Sequence, residues 1–371
     1  MKSTGMRASI YAVAERAGVS ISTVSLAINH PERVSTATRA RIIEAARELG
    51  YRPLSQDGQT RGGHVAGVLV AAPFSTHPSF ARRLNGIVGQ LQGTGADVMV
   101  HDLPAAEAAD EPLLSALPVR ANVDGVIVMG VPLAEGISEK LRSWGPPLVA
   151  VDTQFGANPT VLIDDHAGAK ALAEHLVGLG HRRIAYVHPH QQSLNYVSAG
   201  MDRMTGLASA LNVPPITVEH VRELLATQES PRRFGDLTLL EVDRDDPASF
   251  AAAAAFFREN PDVTAAFAHH DELAAMLLSA LGAHGVRVPE DVSLAGYDDG
   301  ALAQALGLTT VRQPFEESGR VAAELLQGML GAGRSVTQRI MLEPELVIRT
   351  TTGQSPMPVS PSPVPSRRKK S

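Results

Sequence analysis

Between about residue 65 and residue 350, short aliphatic and β-branched runs alternate with helical stretches, and this alternation restricts the possible folds more than any other feature. The runs lie at 65–70, 126–128, 148–151, 184–187, 265–268 and 292–295. Helical periodicity occupies 80–91, 167–179, 201–211, 248–258, 273–284 and 316–330. Strands that are apolar along their whole length must be covered on both faces, which means parallel sheets with helices on either side. About ten such strands exceed what one core usually holds. The pattern therefore predicts an α/β body of two doubly wound parallel-sheet subdomains. Their boundary is expected near 153–160, where Pro159 interrupts the pattern, with return crossings near 284–290 and 310–316.

Residues 1–53 follow a different grammar and read as all helix. Ile10, Val13, Ala14 and Ala17 recur at helical spacing between a capping Ser9 and a closing Gly18. Ser20 caps a second short helix in which Val24, Ala27 and Ile28 share a face, and Pro31 ends it. Ser35 caps a third, whose buried face carries Ile42, Ile43, Ala46 and Leu49. Two helices joined by a tight turn and supported by a third present the second helix to a DNA major groove. Residues 54–64 hold three glycines and few apolar side chains and read as a linker. The stretch 351–371, rich in Pro and Ser and ending in Arg367, Arg368, Lys369 and Lys370, has no core to join and reads as a disordered basic tail.

The net charge of −6 hides a division along the chain: residues 1–64 carry +4, residues 351–371 carry +4, and the middle carries −14. A basic head is the electrostatic footprint of a module that neutralises phosphates. The sequence contains no cysteine, which excludes disulfides and thiol catalysis. No segment approaches 18 uninterrupted apolar residues and no signal-like stretch opens the chain, so a cytoplasmic protein without a membrane span is expected. No G-x-G-x-x-G, G-x-x-x-x-G-K-[ST] or G-x-S-x-G occurs, which leaves dinucleotide, nucleoside triphosphate and hydrolase chemistry without a local signature. Neither an enzyme, a cofactor nor a metal site is expected. His269, His270 and Asp271 are consecutive and read as structural side chains, not as ligands of one ion.

The stretch SIYAVAERAGVSISTVSLAINHPERVSTATRARIIEAARELGYRP, residues 9–53, resembles the lactose-repressor and galactose-repressor (LacI-type) family of bacterial regulators. VDGVIVMG, VDTQ, LIDDHAGAKALAEHLVGLGHRRIAYV, DRMTGLASAL, HHDELAA, DVSLAGYDDG and LTTVRQPFEESGRVAAELL follow in the family's order. The resemblance implies a helix-turn-helix head (1–53), a hinge (54–64) and a periplasmic-binding-protein-type body (65–350). It also implies that the chain binds double-stranded operator DNA of pseudo-palindromic sequence as a homodimer, acts as a repressor and answers to a small-molecule effector. Ser9, Tyr11, Thr23, Ser25, Asn29, Arg33, Ser35 and Thr38 fall where the family touches phosphates, which would set register. Base reading would fall to Ile21, Ser22 and Leu26. Leu26 departs from the usual basic or polar residue, and an aliphatic side chain offers only apolar contact, such as with a thymine methyl.

In the linker the family's Ala-Arg-x-Leu hinge is replaced by Asp57, Gly58 and Thr60, so a hinge helix is marginal, with Arg61 left as a minor-groove or phosphate contact. For the effector, the resemblance implies a site in the cleft between the sheets, lined by Pro78, Phe80, Gly130, Asp152, Arg203, His270, Asp298, Gln313 and Phe315. Arg203 with Asp152 and Asp298 suits a sugar or another polyhydroxylated ligand. His270, where the family usually has Asn, keeps a non-sugar metabolite open. Asp164, Asp165 and Gly168 read as a structural strand-to-helix turn. A transporter's solute-binding protein shares the body's architecture but would lack residues 9–53.

Overall fold

The computed structural model describes residues 9–49, 51, 67–103, 123–131, 146–153, 158–190, 198–211, 213, 217, 223, 230–332 and 337–356. The linker 54–64 with Arg61 lies outside the described residues.

In the head, α1 (Ile10–Ala17), α2 (Ile21–Asn29) and α3 (Thr36–Glu48) are joined by a tight turn and a 3-10 turn at Pro31–Arg33. Each helix opens on a serine: Ser9, Ser20 and Ser35 accept from the backbone N of Ala12, Thr23 and Thr38 at 3.3, 3.1 and 3.3 Å. Gly18 closes α1 at φ 64°, a conformation glycine adopts without a side-chain penalty. Val13, Val24, Ala27, Ile28, Ile42 and Ala46 form a common core. Arg39 is buried and donates to Pro31 O at 3.2 Å. Leu49, expected on the buried face, is exposed, because α3 has ended; Tyr51 packs against the core instead, its N donating to Ala46 O at 2.8 Å.

The body divides by backbone contacts into two units. The first contains β1 (Gly67–Ala72), α4 (Ser79–Leu91), β2 (Asp97–Asp102), β3 (Gly125–Met129), β4 (Leu148–Val151) and β5 (Thr160–Ile163), and later α10 (Phe315–Ala332) and β12 (Arg339–Leu342). Its six strands pair in the order β12-β5-β4-β3-β1-β2, all parallel. Helices α4 and α10 cross so closely that a Cβ on Gly86 would stand 1.9 Å from Glu316 O and one on Gly319 2.0 Å from Arg83 O.

The second unit contains α5 (Asp165–Gly178), β6 (Ile184–Pro189), α6 (Ala199–Ser209), β7 (Arg232–Phe234), β8 (Leu237–Val242), α7 (Pro247–Glu259), β9 (Ala265–Ala268), α8 (Asp271–Ala283), β10 (Ser293–Ala295), α9 (Ala301–Leu306), β11 (Thr310–Arg312) and β13 (Glu345–Val347). Its sheet runs β10-β9-β6-β8-β7, parallel except for the β7–β8 pair, and β11 pairs antiparallel with β13. The chain passes between the units at 163/164, 313/314 and 342/343. The first passage falls after the expected 153–160 because β5 pairs with β4 and β12, and no passage occurs at 284–290.

The expectation of disorder from 351 is corrected up to residue 355. Thr351 Oγ1 donates to Leu294 O at 2.7 Å and accepts from Thr309 N at 2.9 Å, while Leu294 N donates to Thr351 O at 2.8 Å. Gly353 N donates to Ser293 Oγ at 3.0 Å, and Ser355 N to Leu179 O at 2.9 Å. These bonds lay a polar strap along the edge strand β10, satisfying backbone groups that an edge otherwise leaves open. His181, fully buried beneath it, accepts from Thr264 Oγ1 at Nδ1 (2.8 Å) and donates from Nε2 to Gly353 O (3.0 Å).

Candidate functional site

The head displays its expected DNA-facing side chains unevenly. Tyr11, Ile21, Ser22, Leu26, Asn29, Arg33 and Ser35 are exposed, and Ser9, Thr23, Ser25 and Thr38 are half-buried. The helical spacing that buries Val24, Ala27 and Ile28 against α1 and α3 turns Ser22, Ser25, Leu26 and Asn29 outward. Several of the polar groups are already engaged locally. Ser9 and Ser35 cap helices, Ser35 also donates to Thr38 Oγ1 at 3.0 Å, and Arg33 lies 3.8 Å from Glu32.

In the second unit a charged cluster gathers where β9, β10 and β11 end. Arg203, on α6 and 6 % exposed, donates from Nε to Asp165 Oδ1 at 2.8 Å and from Nη1 to His269 O at 2.6 Å. Its guanidinium lies 4.0 Å above the Tyr297 ring and 3.9 Å from Asp298 Oδ1. Burial works against the charge, but Asp165 and Asp298 outweigh it and hold the guanidinium above its ordinary range. Gln313 Nε2 donates to Asp298 Oδ1 at 2.6 Å, so Arg203, Asp298 and Gln313 form one network. Asp298 and Asp299 both adopt positive φ, 113° and 52°, a strained backbone that clusters at functional sites. The loop is held down by Asp299, which takes Arg312 at 2.7 Å and Arg349 at 2.5 Å. Asp271 clamps it from the other side, accepting from Thr310 Oγ1 at 2.7 Å and Gly300 N at 2.8 Å. Burial, with Asp298 and Asp299 nearby, pushes the Asp271 carboxyl up to about 7.

His270 caps α8, its Nδ1 accepting from Leu273 N at 3.3 Å, while His269 Nδ1 bonds the Tyr186 hydroxyl at 2.8 Å. With Asp271 turned to Gly300, these three consecutive side chains point to different partners. Among the described residues no group of three His, Cys, Asp or Glu side chains is arranged to hold a metal ion.

The first unit contributes a second cluster. Asp152 pairs with Arg83 of α4. Arg83 is 4 % exposed, with its guanidinium 4.1 Å from the Phe315 ring and 5.4 Å from the Phe80 ring. Phe80 and Phe315 are themselves buried, and Phe80 fills the space a side chain on Gly130 would need. Arg83 went unread in the sequence, although it interrupts the buried stripe Phe80, Ile87, Leu91, where only a paired cation is tolerable. Asp165 was also missed as a partner of Arg203. Asp164 alone caps α5, through Ala167 N at 2.8 Å, and Gly168 leaves room for the Tyr297 hydroxyl, as a structural turn requires.

A helix-turn-helix head on an α/β body with charged clusters at strand ends is the architecture of a ligand-responsive DNA-binding regulator. The model of the bacterial regulatory proteins of the lacI family matches residues 9–54, and that of the periplasmic binding protein-like domain matches 173–352. The chain belongs to the LacI family of transcriptional regulators. The transcriptional repressor CytR of Escherichia coli K12 is 30% identical over 351 residues, covering 93% of this chain and 96% of CytR. Among solved structures, the transcriptional regulator CelR in complex with cellobiose aligns with a TM-score of 0.60 at 27% identity, covering 93% of this chain and 100% of CelR. The lac repressor dimer bound to operator and the anti-inducer ONPF aligns at 0.61 with 25% identity, covering 94% and 100%.

Proposed function

We propose that this regulator is a repressor that binds a pseudo-palindromic operator as a homodimer and senses a neutral, polyhydroxylated effector of the sugar class. The observation that carries the effector reading is the Arg203 network. The guanidinium is already balanced by Asp165, so an anionic ligand gains little from it, whereas Asp298 and Gln313 offer the mixed acceptors and donors that hydroxyl groups need. Effector contacts come from Arg203, His270, Asp298 and Gln313 in the second unit; in the first unit Asp152, Phe80 and Phe315 gather about Arg83. The solved relative CelR holds cellobiose, which agrees with this class. Phosphate contacts come from Ser9, Tyr11, Thr23, Ser25, Asn29, Arg33, Ser35 and Thr38, and base contacts from Ile21, Ser22 and Leu26. Two heads on one operator require a dimer, and the lac repressor, similar over the whole chain, binds operator as one. Exposed Leu302 and Leu306, one turn apart on α9, with Ile348 nearby in sequence to β13, are apolar surface of the kind a protomer contact covers. No described helix is long and apolar enough to cross a membrane, which fits action on DNA in the cytoplasm.

A chain begun at Val65 tests the division of labour. It should keep calorimetric binding to a neutral saccharide that releases the full chain from DNA, sediment as a dimer, and lose specific DNA binding. Retained operator binding by that truncation refutes the assignment of the head.

A further inference from the structure

On the outward face of α2 the polar side chains are small and bond to one another. Ser20 Oγ lies 2.7 Å from both Ser22 Oγ and Thr23 Oγ1, so the hydroxyls at the start of the helix bond to one another. Asn29 Nδ2 donates back to Ser25 Oγ at 3.3 Å and to Ser25 O at 3.1 Å, which occupies the pair one turn further on. The two large side chains on the exposed surface are aliphatic: Ile21 is 42% exposed and Leu26 37% exposed. In a major groove guanine offers two acceptors, adenine an acceptor and a donor, and cytosine a donor; only thymine offers an apolar group, its C5-methyl. Desolvating a polar base edge against Ile21 or Leu26 costs free energy without return, while a methyl there is favourable.

We propose that Ile21 and Leu26 read thymine C5-methyl groups, so that each operator half-site carries a thymine, on either strand, opposite each of these side chains. Ile21 and Leu26 stand about 7.5 Å apart along the helix and about 140° apart around it, so they face different bases, and the two thymines keep one fixed spacing within each half-site. The proposal rests on α2 being the helix that enters the groove, and it adds to that reading the sequence class the helix selects.

The test uses the full-length chain and duplexes it selects from a random pool. Affinity is measured at fixed salt for a selected duplex and for copies in which single thymines are replaced by deoxyuridine, which removes only the methyl. Replacement at the two positions facing α2 should weaken binding about fourfold each, and at both about fifteenfold. Where cytosine replaces thymine, 5-methylcytosine should recover part of the loss. Ile21→Ala and Leu26→Ala, both at exposed positions and checked by unchanged thermal melting, should each abolish the uracil effect at one position. Half-sites selected without thymine at this spacing, or selected duplexes indifferent to uracil, overturn the proposal without recourse to any variant. If the alanine variants lose affinity but uracil has no effect, α2 remains the reading helix and the methyl reading falls. If the variants keep full affinity and the uracil effect, the assignment of α2 falls with it.

Discussion

Replacing Asp165 by alanine should destabilise the second unit through Arg203, although neither side chain belongs to the hydrophobic core. At 2.8 Å the pair attracts by about 6 kcal/mol at an effective dielectric of about 20, and Asp298 at 3.9 Å retains about 4 kcal/mol of attraction after Asp165 is gone. Breaking one side of a buried pair usually costs 3–5 kcal/mol, so with Asp298 and His269 O still in place the loss should be about 3 kcal/mol. For a unit of 150–250 residues that is a fall in Tm of about 6–12 °C. Arg203→Ala should cost a similar amount, because it strands Asp165. The double variant should be less damaged than the sum of the two by about 1–3 kcal/mol. Urea unfolding followed by circular dichroism of all four proteins measures this coupling. Costs that add within about 0.5 kcal/mol would show that Asp165 does not hold Arg203. The same cycle bears on effector studies: loss of response in Arg203→Ala mixes lost contact with lost stability. Asp298→Asn, at a less buried position, separates them better.

Gly319→Ala should destabilise the first unit by about 1–3 kcal/mol, because the added Cβ meets Arg83 O at 2.0 Å, while Gly328→Ala, with nothing within 4 Å, should be neutral or gain up to about 1 kcal/mol; thermal melts compare them. A chain stopped after Arg349 should unfold its second unit at lower urea than one stopped after Pro356, by about 3 kcal/mol or more, because Thr309 N, Leu294 N and His181 lose their partners. Equal midpoints would mean the strap adds nothing. Burial, with Asp165 and Asp164 close by, pushes the Asp202 carboxyl up to about 6, above its unfolded value of about 3.9. Its contribution is thus fully present below about pH 4 and lost as pH rises through about 6. Asp202→Asn removes that loss, so its stability relative to the parent should improve between pH 4 and pH 7; a constant difference across that range contradicts the assignment.

The parts of the fold that local chemistry dictates were legible in the sequence. Ser9, Ser20 and Ser35 cap the helices they precede, and the fully apolar runs became the central strands β1, β3, β4, β6 and β9. What escaped depends on partners distant in sequence. The edge strand β2 is half-exposed and mixes polar with apolar residues, and β12 becomes a strand through pairing with β5 from far along the chain. Residues Thr351–Ser355 look like tail because their docking uses hydroxyl and backbone bonds, which carry no apolar periodicity. Asp164 and Asp165 are adjacent and chemically alike, yet one caps a helix and the other neutralises an arginine 38 residues away. Within the candidate site, Arg203, Asp298 and Gln313 were named one by one from the resemblance and the fold joins them in one network, whereas the Arg83–Asp152 pair required seeing α4 against the end of β4.

The three passages of the chain between units have a consequence for biosynthesis. The first unit's sheet cannot gain its edge strand β12 until Leu342 has been made, and the second unit's β10 is not covered until Thr351 follows. At about 5–20 residues per second, the roughly 180 residues between β5 and β12 take about 10–35 s to emerge, during which β5 presents an open edge. The nascent chain is thus held unfinished at both units until these late residues are made, and a chain released before Leu342 carries two incomplete sheets instead of one finished domain and one unfinished one.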